Sequence, residues 1–177
     1  MFLFNFVRKV KNFLFPPETM EKKIARLRSY GINIGDNCNI YCTLGNGRDS
    51  SLLSIGNNVT IAAGTIFLMH DNAIIKPTNG KYTDLLGAIH VGNNSFIGFG
   101  CIILPGVSIA DNCIVGAGSV VTKSISQEGS VYAGNPARYI CSVDNYVEKN
   151  HNYMVNLDNL SKKDVESLIK NSILLKR

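Results

Sequence analysis

The sequence predicts a mostly β chain wound as a triangular solenoid, its short parallel strands stacked coil on coil. Three observations predict it. Val91, Ile97, Ile103, Ile109, Val115 and Val121 recur every six residues without a break. Four residues after each anchor stand Ser95, Cys101, Val107, Cys113, Ser119 and Ile125, most of them small. One tetrapeptide also returns at longer spacing: Ile34-Gly35-Asp36-Asn37, Ile55-Gly56-Asn57-Asn58, Val91-Gly92-Asn93-Asn94 and Ile109-Ala110-Asp111-Asn112.

A period of six fits neither the roughly 3.6-residue turn of a helix nor the roughly 2-residue alternation of a strand. The last two tetrapeptides lie 18 residues apart, which is three hexads, so three six-residue sides make one coil. Each side is a short strand. Each corner takes Gly or Asn, the residues that tolerate a left-handed backbone. Coils stacked about 4.8 Å apart pile the anchors into columns of Ile and Val that no single coil could bury alone. The first two tetrapeptides lie 21 residues apart, one coil plus three residues. The middle pair lies 36 apart, either two coils or one coil carrying an 18-residue insertion.

Along the chain, residues 1–30 are expected to form an N-terminal helical segment. Phe2, Phe6, Val10 and Phe13 fall near helical spacing and precede Pro16-Pro17, which stop a helix. The apolar residues come before the basic ones, no small-residue cleavage site follows, and no 18-residue apolar run exists. A signal peptide and a membrane span are therefore not expected. Residues 1–15 could make weak contact with a membrane surface; packing on the chain itself or on a neighbouring subunit is the favoured outcome. Residues 31–141 form the repeat domain. Within it residues 73–90, with Pro77 and Asn79-Gly80, break the period and read as a loop thrown out from a corner; long loops on rigid scaffolds are usually functional. Gly134-Asn135-Pro136-Ala137 ends the regular part. Residues 142–177 are a helical tail, in which Ser161 and Asp164 make a capping box before Val165, Leu168 and Ile169. Terminal caps are expected because a last coil otherwise presents an open edge.

At 177 residues the chain is long enough for one sizeable core. Its net charge of +5 is scattered, with no basic run interleaved with aromatics, so a nucleic-acid partner is not expected. Five cysteines without a CxxC argue against a disulfide framework and against structural zinc, and suggest a reducing cytoplasm. Cys38, Cys101 and Cys113 occupy the small inward position, where Cys packs as a small hydrophobe. The three histidines, His70, His90 and His151, are separated by 20 and 61 residues, a poor pattern for a zinc site. No metal is expected.

The stretch IHVGNNSFIGFGCIILPGVSIADNCIVGAGSVVTKSISQEGSVYAGNPARYI, residues 89–140, resembles the hexapeptide-repeat acyltransferases, and within them the maltose, galactoside and polysaccharide O-acetyltransferase branch. The resemblance covers residues from about 31 to 141. It implies a left-handed parallel β-helix of about five triangular coils, opposite in hand to ordinary parallel crossovers. It also implies a homotrimer with active sites between subunits, and direct transfer of an acetyl group from acetyl-CoA without a covalent enzyme intermediate. The first 30 residues do not match the N-terminal segment of the maltose and galactoside enzymes, so a polysaccharide unit is the favoured acceptor. An amino sugar or antibiotic acetylated on nitrogen, and a non-catalytic β-helix scaffold, are the alternatives.

The same resemblance assigns site residues. His70, in Thr65-Ile66-Phe67-Leu68-Met69-His70-Asp71, stands at the catalytic histidine's place, the last regular hexad before the loop. An imidazole there takes the proton of an attacking hydroxyl, worth about 10²–10⁴-fold in rate, while a backbone N–H on the next coil meets the developing oxyanion. Asp71 is a candidate to orient the ring. Gly106, one coil on, is expected to leave room for it. Phe99 and Ala117, 18 residues apart, line the path of the pantetheine arm. Thr122, Lys123 and Arg138 match residues near the cofactor phosphates; Cys141 replaces a second basic residue there. In the loop, Tyr82 and Asp84, with Lys81, are candidates to hydrogen-bond the acceptor sugar.

Overall fold

Every hexad anchor is the inward residue of a short strand. The computed structural model describes residues 18–171, and in it the strands of the repeat form three sheets of parallel neighbours. The first sheet holds β1 (Asn33–Ile34), β3 (Leu53–Ile55), β8 (Ile89–Val91) and β11 (Ser108–Ile109). The second begins with β2 (Asn39–Ile40), β4 (Thr60–Ile61), β9 (Phe96–Ile97) and β12 (Ile114–Val115). The third holds β5 (Ile66–Phe67), β10 (Ile102–Ile103) and β13 (Val120–Val121). The chain visits the sheets in rotation: β3–β4–β5, β8–β9–β10, β11–β12–β13.

Register turns the sequence period into a core. Ile34, Ile55, Val91 and Ile109 pair in one column, Ile40, Ile61, Ile97 and Val115 in a second, Phe67, Ile103 and Val121 in a third. All are buried. The small inward residues are buried too, and each corner explains why they are small and weakly polar. The thiols of Cys38 and Cys101 donate to the carbonyls of Gly56 and Gly116, at 3.1 and 3.2 Å. The hydroxyls of Ser95 and Ser119 accept from the backbone N–H groups of Cys113 and Gly134. Among the described residues no buried side-chain nitrogen or oxygen lacks a partner, as a closed polar account of a core requires.

The tetrapeptide corners carry a second ladder. Asn37, Asn58, Asn94 and Asn112 adopt φ between 53° and 58°, the left-handed region that Asn tolerates best after Gly. Beside them, Asn57, Asn93 and Asp111 each accept through Oδ1 the N–H of the equivalent residue one coil earlier, at 2.8–2.9 Å. The bonds from Asn93 hold the Asp111 carboxyl below its ordinary range. The coils are thus tied by side chains as well as by backbone.

Ser54 pairs with His90, 36 residues on, so the middle gap is one coil with an 18-residue insertion. The repeat resumes at Ile89, which closes the loop two residues earlier than the expected 73–90. The insertion is not structureless. β6 (His70–Asp71) pairs antiparallel with β7 (Leu85–Leu86), and Ala73–Ile75 form a helical turn. The C-terminal end also departs from expectation. The regular part does not simply decay: β14 (Ser130–Ala133) continues the second sheet, then turns back on itself as the antiparallel β15 (Arg138–Ser142). Helix α2 (Val143–Asn150) follows, the Ser142 hydroxyl accepting from Asn145 N–H. Ser161 and Asp164 do form the reciprocal capping box of a C-terminal helix (Lys162–Asn171).

At the other end, helix α1 (Met20–Ser29) seals the first coil. Thr19 caps it, Leu27 is fully buried against the core, and Met20 and Ile24 pack beside it. Lys23 Nζ donates to Cys42 O at 2.8 Å, while Arg28 donates to the carbonyls of Ile34 and Gly35, both at 2.8 Å. The helix so covers the edge that β1 and β2 would expose. The amphipathic helix expected over residues 1–15 lies outside the described residues. Among the described residues no helix is long and apolar enough to cross a membrane. Because Leu27 fills the end of the core, Leu27→Ala is expected to cost about 2–5 kcal/mol of stability, read as a lower midpoint in urea or thermal unfolding.

Candidate active site

His70 leaves the third sheet where the chain departs from its coil. The β6–β7 pairing holds its backbone opposite Leu86, and Gly87 N–H donates to Met69 O at 2.9 Å. Its imidazole is 53 % exposed, and its Nδ1 lies 2.6 Å from Oδ2 of Asp49, whose side chain is only 15 % exposed. Asp49 comes from the third side of the first coil. That side is tied down by the helical turn Ser50–Leu52 and by the buried Ser50 hydroxyl, which donates to the carbonyls of Gly45 and Gly47.

An Asp carboxylate at 2.6 Å fixes the tautomer of the neutral ring: Nδ1 carries the proton and donates it, leaving the Nε2 lone pair free. The same bond favours the charged ring. The hydrogen bond to Asp49 and the Asp49 charge, assisted by Asp84 and Asp71, raise the His70 pKa above the ordinary 6.5 despite some desolvation. His70 opens into a cleft of about 650 Å³ also lined by Arg48, Asp49, Leu52, Asp84 and Leu86. Arg48 has no ion partner among the described residues.

Several expected site residues stand elsewhere. The carboxylate beside the imidazole is Asp49, not Asp71; Asp71 Oδ1 accepts from Ala73 N–H at 2.8 Å and so caps the turn that starts the insertion. Gly106 does not make room for the ring, since a Cβ built there meets nothing within 4 Å; it is Gly because its φ is +80°. The tight glycine is Gly87, whose Cβ would strike the backbone of Pro105 and Gly106. Asp84 lines the cleft, but Tyr82 does not; its exposed ring lies under Lys81 Nζ, 5.3 Å away. His90 faces outward on β8 and His151 is exposed near the end of α2.

The expected cofactor residues divide between two corners, Phe99 and Ala117 before β10 and β13, Thr122 and Lys123 after β13. Gly118 N–H donates to Phe99 O, so Phe99 and Ala117 occupy one corner on consecutive coils, both exposed. Ala137 N–H donates to Val120 O, which draws Arg138 toward the strand that Thr122 and Lys123 follow. Lys123 and Arg138 are exposed and have no ion partner among the described residues. Exposed cations without an ion partner are of the kind that meets phosphate groups. Among the described residues no group of three or more His, Cys, Asp or Glu could hold a metal ion.

The sequence reading missed Asp49, Arg48 and Thr83. A signal for Asp49 existed. Asn33 pairs with Ser54 and Asn39 with Thr60, an offset of 21, and Asp49 precedes His70 by the same 21 residues. The two occupy equivalent places on neighbouring coils.

Known proteins are similar to this chain. The family model "Bacterial transferase hexapeptide (six repeats)" matches residues 88–123. Protein CapG of Staphylococcus aureus is 38% identical over 127 residues, which cover 70% of this chain and 73% of that protein. The galactoside O-acetyltransferase of Escherichia coli K12 is 35% identical over 117 residues, 66% of this chain and 57% of that enzyme, so the chain spans less than two thirds of it. A solved maltose O-acetyltransferase from Clostridium difficile 630 aligns over 78% of this chain and 84% of its own, at 26% identity and a TM-score of 0.59. The chain belongs to the bacterial hexapeptide-repeat transferase family, and it is an acyltransferase of that family.

A base of raised pKa must lose its proton before it can act. For acyl transfer, kcat/KM is therefore expected to climb as pH rises through the His70 pKa, above 6.5. Asn at position 49 removes the charge that raises it, so Asp49→Asn is expected to move that acidic limb to lower pH while lowering kcat; an unmoved limb in a folded variant would separate the pair from catalysis.

Proposed function

We propose that the chain is an acetyl-CoA-dependent O-acetyltransferase that modifies a hydroxyl of a sugar or polysaccharide unit. The observation that carries it is the His70–Asp49 pair: one ring nitrogen bound to a carboxylate at 2.6 Å, the other without a partner among the described residues, at the mouth of a cleft large enough for a sugar ring. A hydroxyl is a poor nucleophile at neutral pH. Within reach of Nε2 it gives up its proton as it attacks, and Asp49 stabilises the imidazolium that results. His70 then returns the proton to the leaving group.

A CoA thioester supplies the activated acetyl group. The chain's own share is to hold it: backbone groups at the Phe99–Ala117 corner take the pantetheine amides, while Thr122, Lys123 and Arg138 meet the phosphates. Leu52 and Leu86 give the sugar an apolar wall, and Arg48, Thr83 and Asp84 offer polar partners. Tyr82, from the same insertion, does not line the cleft.

The spacing of the two corners supports a homotrimer with sites between subunits. Phe99 and Ala117 stand where the chain enters the third sheet and His70 where it leaves. Seven residues separate His70 from Ala63, which holds the same corner one coil before Phe99, a reach of roughly 20 Å at about 3.3 Å per residue. A neighbouring subunit can bring its own corner to His70. The proposal includes a left-handed winding of about five coils and a cytoplasmic enzyme of polysaccharide biosynthesis, consistent with five free cysteines among the described residues.

His70→Ala, melting like the parent protein, is expected to lose acetyl transfer to sugar acceptors by at least the 10²–10⁴-fold typical of a general base, to order of magnitude. Substantial residual transfer would refute the role. Lys123→Glu or Arg138→Glu is expected to raise the KM for acetyl-CoA severalfold and leave the acceptor KM unchanged. Acetyl-CoA is expected to raise the melting temperature of the parent protein; no shift at millimolar ligand would favour a scaffold without activity. Profiling sugars against amino sugars decides between oxygen and nitrogen.

A further inference from the structure

Asp49 is held by what its neighbour lacks. A Cβ built on Gly47 would lie 2.5 Å from Oδ1 of Asp49 and 3.7 Å from its Cγ, with Ser50 Oγ 3.8 Å away. Real Cβ atoms do not approach an oxygen so closely. The backbone of Gly47 is not in the left-handed region, so its conformation does not demand glycine. The demand is space.

Neither side of the contact can yield freely. The Gly47 carbonyl accepts twice from Ser50, from the N–H at 3.2 Å and the hydroxyl at 2.9 Å, and Ser50 is buried. On the other side the carboxylate is planar and rigid. Its Oδ1 occupies the space a Gly47 side chain would need while its Oδ2 meets His70 Nδ1 at 2.6 Å. Moving Oδ1 out to an ordinary contact of 3.4 Å swings Oδ2 as well, and hydrogen bonds weaken steeply once the geometry is lost.

We propose that Gly47 is a positioning residue of the active site: its missing side chain is the seat against which Asp49 is set so as to face His70. This rests on the reading of His70 as the base, but the seat itself can be tested without catalysis. The charged groups facing the imidazole are Asp49 from the first coil, Asp84 from the segment before β7, the adjacent Asp71, and Arg48 at the cleft wall. Among the described residues Asp49 is the charged group that hydrogen-bonds it, so displacing that one carboxylate has a readable effect.

The test is Gly47→Ala in the full chain. NMR titration of the histidine ring signals, with His70→Ala assigning the resonance, is expected to show the His70 pKa falling toward 6.5, with circular dichroism unchanged. In the acetyl-transfer assay the acidic limb moves to lower pH and kcat drops, by an amount on the order of 10²-fold for a misplacement near 1 Å, while the KM for acetyl-CoA stays put. A folded Gly47→Ala protein whose His70 titrates as in the parent overturns the proposal. Melting temperatures close the case if Gly47→Ala is too unstable to assay. Once Asp49→Ala removes the carboxylate, adding Gly47→Ala should cost almost nothing further; additive losses overturn the proposal. Should His70 shift as expected in a protein that acetylates no acceptor, the seat stands and the enzymatic reading fails instead.

Discussion

Stacking is the constraint on which everything else depends. A six-residue side is too short to bury its own anchor, and it becomes stable only when the coils above and below place their anchors in the same column. The pairing of Ile55 with Val91 and of Ile61 with Ile97 spans 36 residues of sequence, yet satisfies the same ladder as neighbours 18 apart. What the chain does between two paired strands matters little to that ladder. What it does at the strands is almost wholly fixed. The Asn57–Asn93–Asp111 corner bonds reinforce the constraint, because a slip of one coil against the next would break the side-chain and backbone ladders together.

The site inherits its rigidity from this arrangement. Asp49 and His70 are far apart in sequence but stand one above the other because their coils are in register. Each sits where its coil has just departed from regularity, so neither belongs to the packed columns, and both are free to be polar. Preorganisation of this kind costs the protein little at the moment of reaction. The imidazole is exposed while the carboxylate that orients it is mostly covered.

Much of the fold was legible because the six-residue period has one physical solution. The anchors, the small inward residues and the Gly or Asn corners all fell where the sequence placed them. The ends were less legible. The antiparallel return of β15 on β14 follows from contacts beyond Gly134, where the period has already faded. The site was legible in part. His70 was visible from its place before the insertion, but adjacency in sequence suggested Asp71 as its partner, and the turn geometry turned that carboxylate toward Ala73 N–H instead. Asp49 lay in a segment without the period, so its vertical relation to His70 was hidden behind three extra residues. Counting the 21-residue offset through that segment would have uncovered it.

Both departures from the regular length, the three residues added to the first coil and the eighteen added to the second, fall on the return from the third sheet to the first. They therefore emerge on one flank, stacked on one another. Extra length there leaves the register of the strands on either side unchanged, so each core column closes across it. The architecture thus separates a fixed spine from an editable wall.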